Sequence, residues 1–572
     1  MPQDAFHIKR TAEELNRLLV GGNVNRITQA NKDELTLTVY ANGTTVKLVV
    51  NTNASNARVC LSLTEKEPMP VAPSFCMLLR KHLQGAKITA ITQRGFERIV
   101  EIEFFCSSDF SQCSRTLVCE IMGKYSNVIL VEKGVILGAL KTTSLSNDAS
   151  RALLTGAKYV YPAPQDKLSP FDGAGIRSRL QSFAKLHADG YDEEDLSRFV
   201  FENVAGLALP TARQLVLRAG TENGSLYTAL CDGAKTPLWS FIGAFFDGEP
   251  CLAHTANKNG EITDFFAFHI DGGTPAPSLC KAQDLYYTQR ENKGAFENKK
   301  RRLESGVRAL KKKAAKRLQD TLEKLQEAEN AEINRIKGEL LTANLHTIEK
   351  GAEYAIVDNW YSPNFEKIKI KLDGALSPAK NAQKYFKAYA KQKRAKEVLV
   401  PMQETEEKEL AYAESILSAI ALAEEQNDLA EIETELISLG LLRAPQTQKK
   451  NKKEMEIPFR EYEKDGFIIR VGRNNLQNDR LLRLATGEDI WLHAQKYHSS
   501  HVIIFTEGRQ VRDETLLFAA ELCAYYSGGR DADKLPIDYC KRKFVKKPNK
   551  SKAGFVVYTD YKTVLVKPTK HG

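Results

Sequence analysis

The sequence predicts a multidomain α+β protein. It should contain an N-terminal α+β domain, a helical hairpin domain, a long antiparallel coiled-coil arm with a small tip, and a C-terminal α+β domain. Three observations predict this. The 572 residues exceed what one core holds at about 100–200 residues per domain. Strand-like and helical patterns alternate at both ends of the chain. Between them lie two long helical stretches with apolar residues at coiled-coil spacing.

The first domain, 1–170, opens with a helix over Asp4–Val20, which Asp4 can cap and which turns Leu15, Leu18 and Leu19 to one face. Strand patterns follow at Glu34–Tyr40, Thr45–Val50, Ala57–Leu61, Ile99–Phe105, Thr116–Ile121 and Asn127–Val131. Ser74–Leu83 is a short amphipathic helix that Gly85 ends. In 171–280, the piece FENVAGLALPTARQLVLRAG (Phe201–Gly220) resembles a helix-hairpin-helix with Gly206 and Pro210 at its turn. The backbone N–H groups at such a helix start can hold a phosphate.

From 281 the composition shifts to Lys, Arg, Glu, Ala, Leu and Gln. Leu303, Val307, Leu310 and Ala314 start a seam that Leu318, Leu322 and Leu325, then Ile333, Ile336 and Leu340, continue after phase shifts. A second helix is expected over about Glu404–Leu439. The two helices form an arm, 281–443, whose tip is 351–397, with an alternating strand at Lys367–Leu372. The polar, Lys-rich 444–456 reads as a linker. The last domain, 457–572, alternates strands with one helix at Asp513–Tyr526 and closes on strands at Gly554–Thr559 and Thr563–Lys567.

No stretch reaches the roughly 18 apolar residues that span a bilayer, and the opening MPQDAFHIKRTAEELNRLL carries charges where a signal peptide is apolar. A cytoplasmic protein with no membrane partner is expected. Ten cysteines without a C-x-x-C pair exclude a disulfide scaffold and a zinc ribbon. No phosphate-binding G-x-x-x-x-G-K-[ST], no helix-opening G-x-G-x-x-G and no G-x-S-x-G elbow occurs. Pro2 could act as the secondary-amine nucleophile of a MutM-type DNA glycosylase, but Gln3 stands where an acid is needed and the four-cysteine finger is missing. His493, His498 and His501 crowd into WLHAQKYHSSHVII without a carboxylate to complete a zinc pattern, and they read as loop histidines near an RNA or protein surface. The chain offers no catalytic residue, cofactor or metal site of its own.

Charge carries the best physical signal. The net charge is +10, from 82 basic and 72 acidic residues. Residues 1–280 carry net −1 and residues 281–572 net +11, and the latter includes an acidic stretch, 401–435, of net −10. Lys299–Arg317 holds ten basic residues, Lys384–Lys396 six and Lys541–Lys552 seven. Such density releases counterions from phosphates, and Tyr385, Phe386, Tyr389 and Phe544 interleave as candidate stacking rings. Three runs on separate elements point to a large RNA partner for the C-terminal half.

Several segments together resemble one known family. APSFCMLLRKHLQGAKI, QRGFERIVEIEF and EIMGKYSNVILV resemble the NFACT-N domain of the RqcH/NEMF family. LDGALSPAKNAQKYFKAYAKQKRA resembles its middle coiled-coil signature. GFIIRVGRNNLQND, WLHAQKYHSSHVIIF and IDYCKRKFVKKPNKSKAGFVVYTDYKTVLVKP resemble its NFACT-R domain.

The resemblance implies an N-terminal domain of MutM-like fold without the catalytic residues. It implies a factor of ribosome-associated quality control that binds large (50S) ribosomal subunits obstructed by peptidyl-tRNA. The factor recruits tRNA, alanyl-tRNA in the bacterial case, for mRNA-independent addition of a C-terminal alanine tail that marks the nascent chain for degradation. Peptide-bond formation then belongs to the ribosome, and the chain is no enzyme and needs no cofactor. Bacterial members also carry the name fibronectin-binding protein, so a surface adhesin is the alternative.

For the residues, the resemblance implies the following. The family's acidic-Arg pair for tRNA binding falls on Glu97-Arg98. A second tRNA-facing segment falls on Glu120, Ile121, Met122 and Lys124, where the family often has Arg at the position of Lys124. Ribosomal RNA contacts are expected at Lys384, Lys387, Lys391, Lys393 and Arg394 in the tip, and at Lys541, Arg542, Lys543, Lys546 and Lys547 in NFACT-R. The family's Pro-Gly before Ser-His-Val is replaced by His498-Ser499.

Overall fold

Asp4 accepts the His7 backbone N–H at 3.0 Å and starts the first helix, α1 (Ala5–Leu19), as its side chain predicts. The computed structural model describes residues 3–108, 111–143, 151–187, 190–224, 230, 234–248, 250–442, 457–549 and 551–571. The expected linker at 444–456 lies outside them. The architecture is multidomain α+β, and the chain divides into two compact units, Met1–Lys293 and Gly294–Gly572.

The first unit is built on a nine-stranded antiparallel sheet: β1 (Asn23–Asn31), β2 (Glu34–Ala41), β3 (Thr44–Asn51), β4 (Arg58–Leu61), β5 (Lys87–Gln93), β6 (Ile99–Ser108), β7 (Ser111–Glu120), β8 (Asn127–Glu132) and β9 (Val135–Ala139), in the order β4-β3-β2-β1-β5-β6-β7-β8-β9. α1 and α2 (Ser74–Leu83) join its core, where Ile8, Leu15, Leu19 and Leu79 pack with Leu37, Val50, Ile102 and Leu130. Strands β1, β5 and β9 were not expected. NVNRITQAN and KITAITQ alternate but hold few large apolar residues, and β1 meets β5 through one residue pair, Asn23 with Lys87.

A second core of this unit combines α3 (Gly173–Leu186), α4 (Glu193–Asn203), α5 (Leu209–Asn223) and α6 (Leu238–Gly248) with a small sheet of β10 (His254–Lys258), β11 (Glu261–Phe266) and β12 (Thr274–Pro275). The expected helix–turn–helix is α4–α5. At its turn Gly206 takes φ +84° with Ala5 and Phe96 3.3 Å from where a Cβ would stand. Its carbonyl accepts from Ala5 N at 3.0 Å.

The start of α5, which the sequence reads as able to hold a phosphate, is already in contact with an anion. The Ala208 N–H donates to the Asp4 carboxylate at 2.9 Å, so a side chain of the same unit already supplies the anion. Burial pushes the Asp4 carboxyl up, but the His7 ring at 2.7 Å and the His7 backbone N–H outweigh it and hold it below its ordinary value.

Helix α7 (Leu279–Glu329) starts in the first unit and continues in the second. The second unit adds α8 (Ala331–Ala343), a hairpin of β13 (Tyr354–Asp358) and β14 (Lys367–Lys371), α9 (Pro378–Leu422) and α10 (Gln426–Ser438). The helices run antiparallel: Asn334 meets Gln392, Arg317 meets Glu409, and Lys311 meets Glu414.

Leu303 and Val307 fill the seam with Ile416, Ile420, Leu429 and Leu436. Further along, the expected pattern fails: Leu322 is 44% exposed, and Val398, Val400 and Met402 are also open. The second helix begins at Pro378, not near Glu404, and continues through Pro401. A proline inside a helix costs about 3 kcal/mol, and the paired stretches on both sides of it hold the helix together.

The C-terminal part carries a six-stranded antiparallel sheet in the order β15-β16-β18-β17-β19-β22, from β15 (Arg460–Lys464), β16 (Phe467–Val471), β17 (Ile490–Ala494), β18 (Val502–Phe505), β19 (Leu535–Lys541) and, beyond a short pair of β20 (Val545–Lys546) with β21 (Val557–Tyr558), β22 (Lys562–Val566). Helix α11 (Asn475–Leu484), unforeseen, packs with Trp491 and Ile503, and α12 (Asp513–Tyr525) contributes to the larger core with Ile469 and Ile504. The strand expected at Gly554–Thr559 shrinks to the two residues of β21.

Asp4→Ala should remove the α1 cap and strand the Ala208 N–H, for a loss of about 3 kcal/mol in a denaturant titration. Because the Asp4 pKa is depressed in the fold, its contribution is present above the ordinary carboxylate range. It disappears as pH falls through the lower folded value, so the variant should lose less stability on acidification than the parent.

Candidate nucleic-acid interface

In the first unit, the two predicted contact segments meet at one end of the sheet. Glu97-Arg98 forms the β5–β6 turn, where Glu97 N donates to the Arg94 carbonyl at 3.0 Å. The Arg98 carbonyl accepts from Ile121 N at 2.8 Å, which places the 120–124 segment beside that turn. Glu97 and Arg98 are half-buried and Lys124 is exposed. Lys167 is also at this end: burial pushes its ammonium down, and the Arg98 charge pushes the same way against Glu202. Arg94, which the sequence did not single out, stacks its guanidinium 3.5 Å from the Tyr161 ring centre. The Tyr161 hydroxyl donates to Glu101 at 2.6 Å, and burial with that carboxylate pushes its pKa up to about 12.

Glu120 and Ile121 are corrections. They are 1% and 0% exposed, so neither side chain reaches a surface ligand. Arg151 grips the Glu120 carboxylate with two bonds, at 2.5 and 3.2 Å, and Tyr159 donates to it at 2.7 Å. Glu120 positions this end of the sheet. Met122 is half-buried, and its N–H donates to Ser126 Oγ at 2.8 Å.

In the second unit, the tip cluster becomes a stripe on α9. Lys384, Lys387, Lys391 and Arg394 are exposed, and Lys380, missed in the sequence, joins them. At 3.6 residues per turn these five fall within about 80° of each other and span about 21 Å. Their 4-3-4-3 spacing was the signal that could have found the fifth. Lys384 also pairs with Asp373 at 3.0 Å. Lys393 is exposed but falls on the side of α9 that carries Tyr389 and Gln392, and Gln392 faces the partner helix through Asn334 at 2.7 Å. Lys393 is therefore no part of the stripe.

The other two basic runs lie mostly at the surface but are partly neutralised by carboxylates. In Lys299–Arg317, Lys299 and Arg302 hold Glu433, Lys311 holds Glu414, Arg317 holds Glu409 and Arg308 holds Glu304. Near the C-terminus Lys541 and Lys543 share Glu488 at 2.7 and 2.8 Å and pull its pKa down to about 2. Lys547 pairs with Asp479. The Arg542 guanidinium donates to the Leu482 and Val545 carbonyls, both at 2.8 Å, and is a correction as a surface contact. Lys546 stays exposed with no ion-pair partner among the described residues. Pro2 and Lys550 lie outside them. Among the described residues, no group of three His, Cys, Asp or Glu side chains is placed to hold a metal ion, and no helix is long and apolar enough to cross a membrane.

Comparison with known proteins fits both surfaces into one framework. Residues 4–455 match the family model of the NFACT N-terminal and middle domains, and residues 455–558 match that of the NFACT protein RNA binding domain. The chain belongs to the RqcH/NEMF family.

It is similar to the Rqc2 homolog RqcH of Bacillus subtilis (strain 168), 32% identical over 582 residues, covering 99% of this chain and 98% of that one. It is similar to the Rqc2 homolog RqcH of Streptococcus pneumoniae serotype 2, 33% identical over 575 residues, again 99% and 98%. Among solved structures, the N-terminal part of the fibronectin/fibrinogen-binding protein of Streptococcus suis aligns at 25% identity and TM-score 0.42, covering 50% of this chain and 99% of that one. Within the RqcH/NEMF framework, Glu97-Arg98 and the α9 stripe fall in the N-terminal and middle match, and the Lys541–Lys547 run falls in the RNA-binding match.

Two outcomes are expected. Glu120→Ala should strand the Arg151 guanidinium and cost about 3 kcal/mol in thermal or chemical unfolding. Reversing Lys387, Lys391 and Arg394 to Glu should weaken binding of a short single-stranded RNA and lower the slope of log K against log salt by about 2, at roughly 0.7 per phosphate contact. Lys393→Glu alone should change that slope little.

Proposed function

We propose that the protein is a cytoplasmic factor of ribosome-associated quality control. It binds large (50S) ribosomal subunits that still hold peptidyl-tRNA and recruits alanyl-tRNA, so that the nascent chain receives a C-terminal alanine tail without mRNA and is marked for degradation. The observation that carries this reading is the relationship to RqcH relatives over 99% of the chain at 32–33% identity.

The charge geometry supports a division of labour. The α9 stripe and Lys546 suit ribosomal RNA, where contacts to phosphate need density of charge and little else. The near-neutral first unit suits tRNA contact through placed groups: Arg98 as the phosphate or base ligand, Glu97 accepting from it or from the RNA, and Lys124 as a point charge. On this reading the ribosome forms the peptide bonds, and the protein contributes binding and orientation with no catalytic residue, cofactor or metal.

Purified protein should co-sediment with large ribosomal subunits at low salt and dissociate as salt rises. Cells carrying Arg98→Ala should lose alanine tails on stalled chains while the variant still sediments with the subunits. Protein that ignores both tRNA and large subunits at low salt would overturn the proposal.

A further inference from the structure

The second unit encloses a cleft of about 1030 Å³ that none of the contacts above uses. This is the size of a small-ligand site. One wall is α9 at Tyr412, and the other is the C-terminal part at His493, Tyr497, His498, Lys552 and Phe555.

Two of these rings are left open to water, Tyr497 at 44% and Phe555 at 51% exposure. Other rings on the lining are fixed: the Tyr412 hydroxyl is held by Glu435, and that of Tyr558 by Asp538 at 2.8 Å. Burial pushes the His498 ring down and the His493 ring to about 4. Each imidazole is therefore neutral near pH 7 and offers one N–H donor and one acceptor nitrogen. Behind His493, the Trp491 ring stacks at 5.6 Å, and Trp491 Nε1 and His501 Nδ1 are buried without a hydrogen-bond partner among the described residues.

The charges divide by position. On the α9 wall Glu404 pairs with Lys408 and Glu409 with Arg317. On the facing loops Lys496 and Lys552 are exposed and have no carboxylate partner among the described residues, and Lys552 Nζ stands 5.6 Å from the Tyr412 ring. A neutral planar group suits the interior, with one anionic group at the lysine rim. An acidic peptide would bring carboxylates against Glu404 and Glu407.

We propose that this cleft takes one unpaired nucleotide of a single-stranded RNA, with its base on the rings of Tyr497 and Phe555 and its phosphate at Lys496 and Lys552. The assignment rests on the reading of the C-terminal part as RNA-binding and names what that part recognises.

The test uses the full chain and a 12-nucleotide single-stranded RNA with 2-aminopurine at its centre. Anisotropy of an end label reports overall binding, and 2-aminopurine fluorescence reports stacking. Binding should quench the 2-aminopurine. Tyr497→Ala and Phe555→Ala, both at exposed positions that leave the fold intact, should each weaken binding by about tenfold and relieve the quench, whereas the α9 stripe variant should weaken binding and keep it. RNA that binds with no quench, or binding indifferent to both ring variants, overturns the nucleotide site while the RNA-binding reading stands. Hexaglutamate that displaces the RNA at equal concentration reassigns the cleft to an acidic peptide. No binding of any RNA at low salt removes both readings.

Discussion

The buried carboxylate of Asp428 is the point on which the second unit depends. It is 0% exposed and receives Arg460 at 3.0 Å and Arg473 at 2.7 Å. It also accepts the backbone N–H groups of Glu424 and Glu425, at 2.9 and 3.0 Å, where α10 begins. One side chain thus starts a helix and joins that helix to the C-terminal sheet. A charge removed from water is tolerated only when its lone pairs are filled, and here four donors fill them. The same face of α10 continues the join one turn and two turns later. Glu431 accepts from Asn474 and Gln477, and Glu435 from Tyr412 and Asn475. This acidic face fixes α9 against the C-terminal loops, and the cleft between them exists because of it.

That join also explains the acidic stretch at 401–435. Six of its carboxylates point to two places: to the C-terminal part through Asp428, Glu431 and Glu435, and to the basic run of α7 through Glu409, Glu414 and Glu433. The positive charge at Lys299–Arg317 is therefore partly matched across the helix pair, through Lys299, Arg302, Lys311 and Arg317, and is not offered whole to a polyanion. A charge run in sequence has no address. Only pairing decides whether it faces a partner or a neighbouring helix, and exposed pairs of this kind contribute about 0–1 kcal/mol each. Their main effect is to fix which residues oppose each other.

Elements with a strong period were legible. Helices α1, α2 and α12 and most strands of the large sheet followed from capping residues and alternation, because local preference and tertiary packing agree there. The misses share one cause: packing overrides a weak or contrary local signal. β1 and β5 are polar strands completed by neighbours. α9 continues through Pro401 because it is paired on both sides. α11 was hidden because NLQNDRLLRL spends its buried Asn475 and Gln477 on the join and Asn478 on the His501 backbone N–H, so its inward face does not look apolar. The candidate sites were legible as residue types but not as geometry. The sequence could name Glu120 and Arg542, but not that both are turned inward.

The two candidate surfaces therefore work by different physics. On α9, five cations on one face would hold a polyanion through counterion release, which is strong, sensitive to salt and indifferent to sequence. Residues 1–280, which carry the other surface, have a net charge close to zero, so attraction at a distance is weak and binding must come from a few groups held in place at the end of the sheet. Glu120 supplies that rigidity from inside. Its hold on Arg151 and Tyr159, and the bond from Ile121 N to the Arg98 carbonyl, fix the turn that carries Glu97 and Arg98. A surface built this way gains discrimination where the stripe gains affinity. In the proposed function the large, abundant partner is met by bulk charge, and the partner that has to be selected is met by a few placed residues.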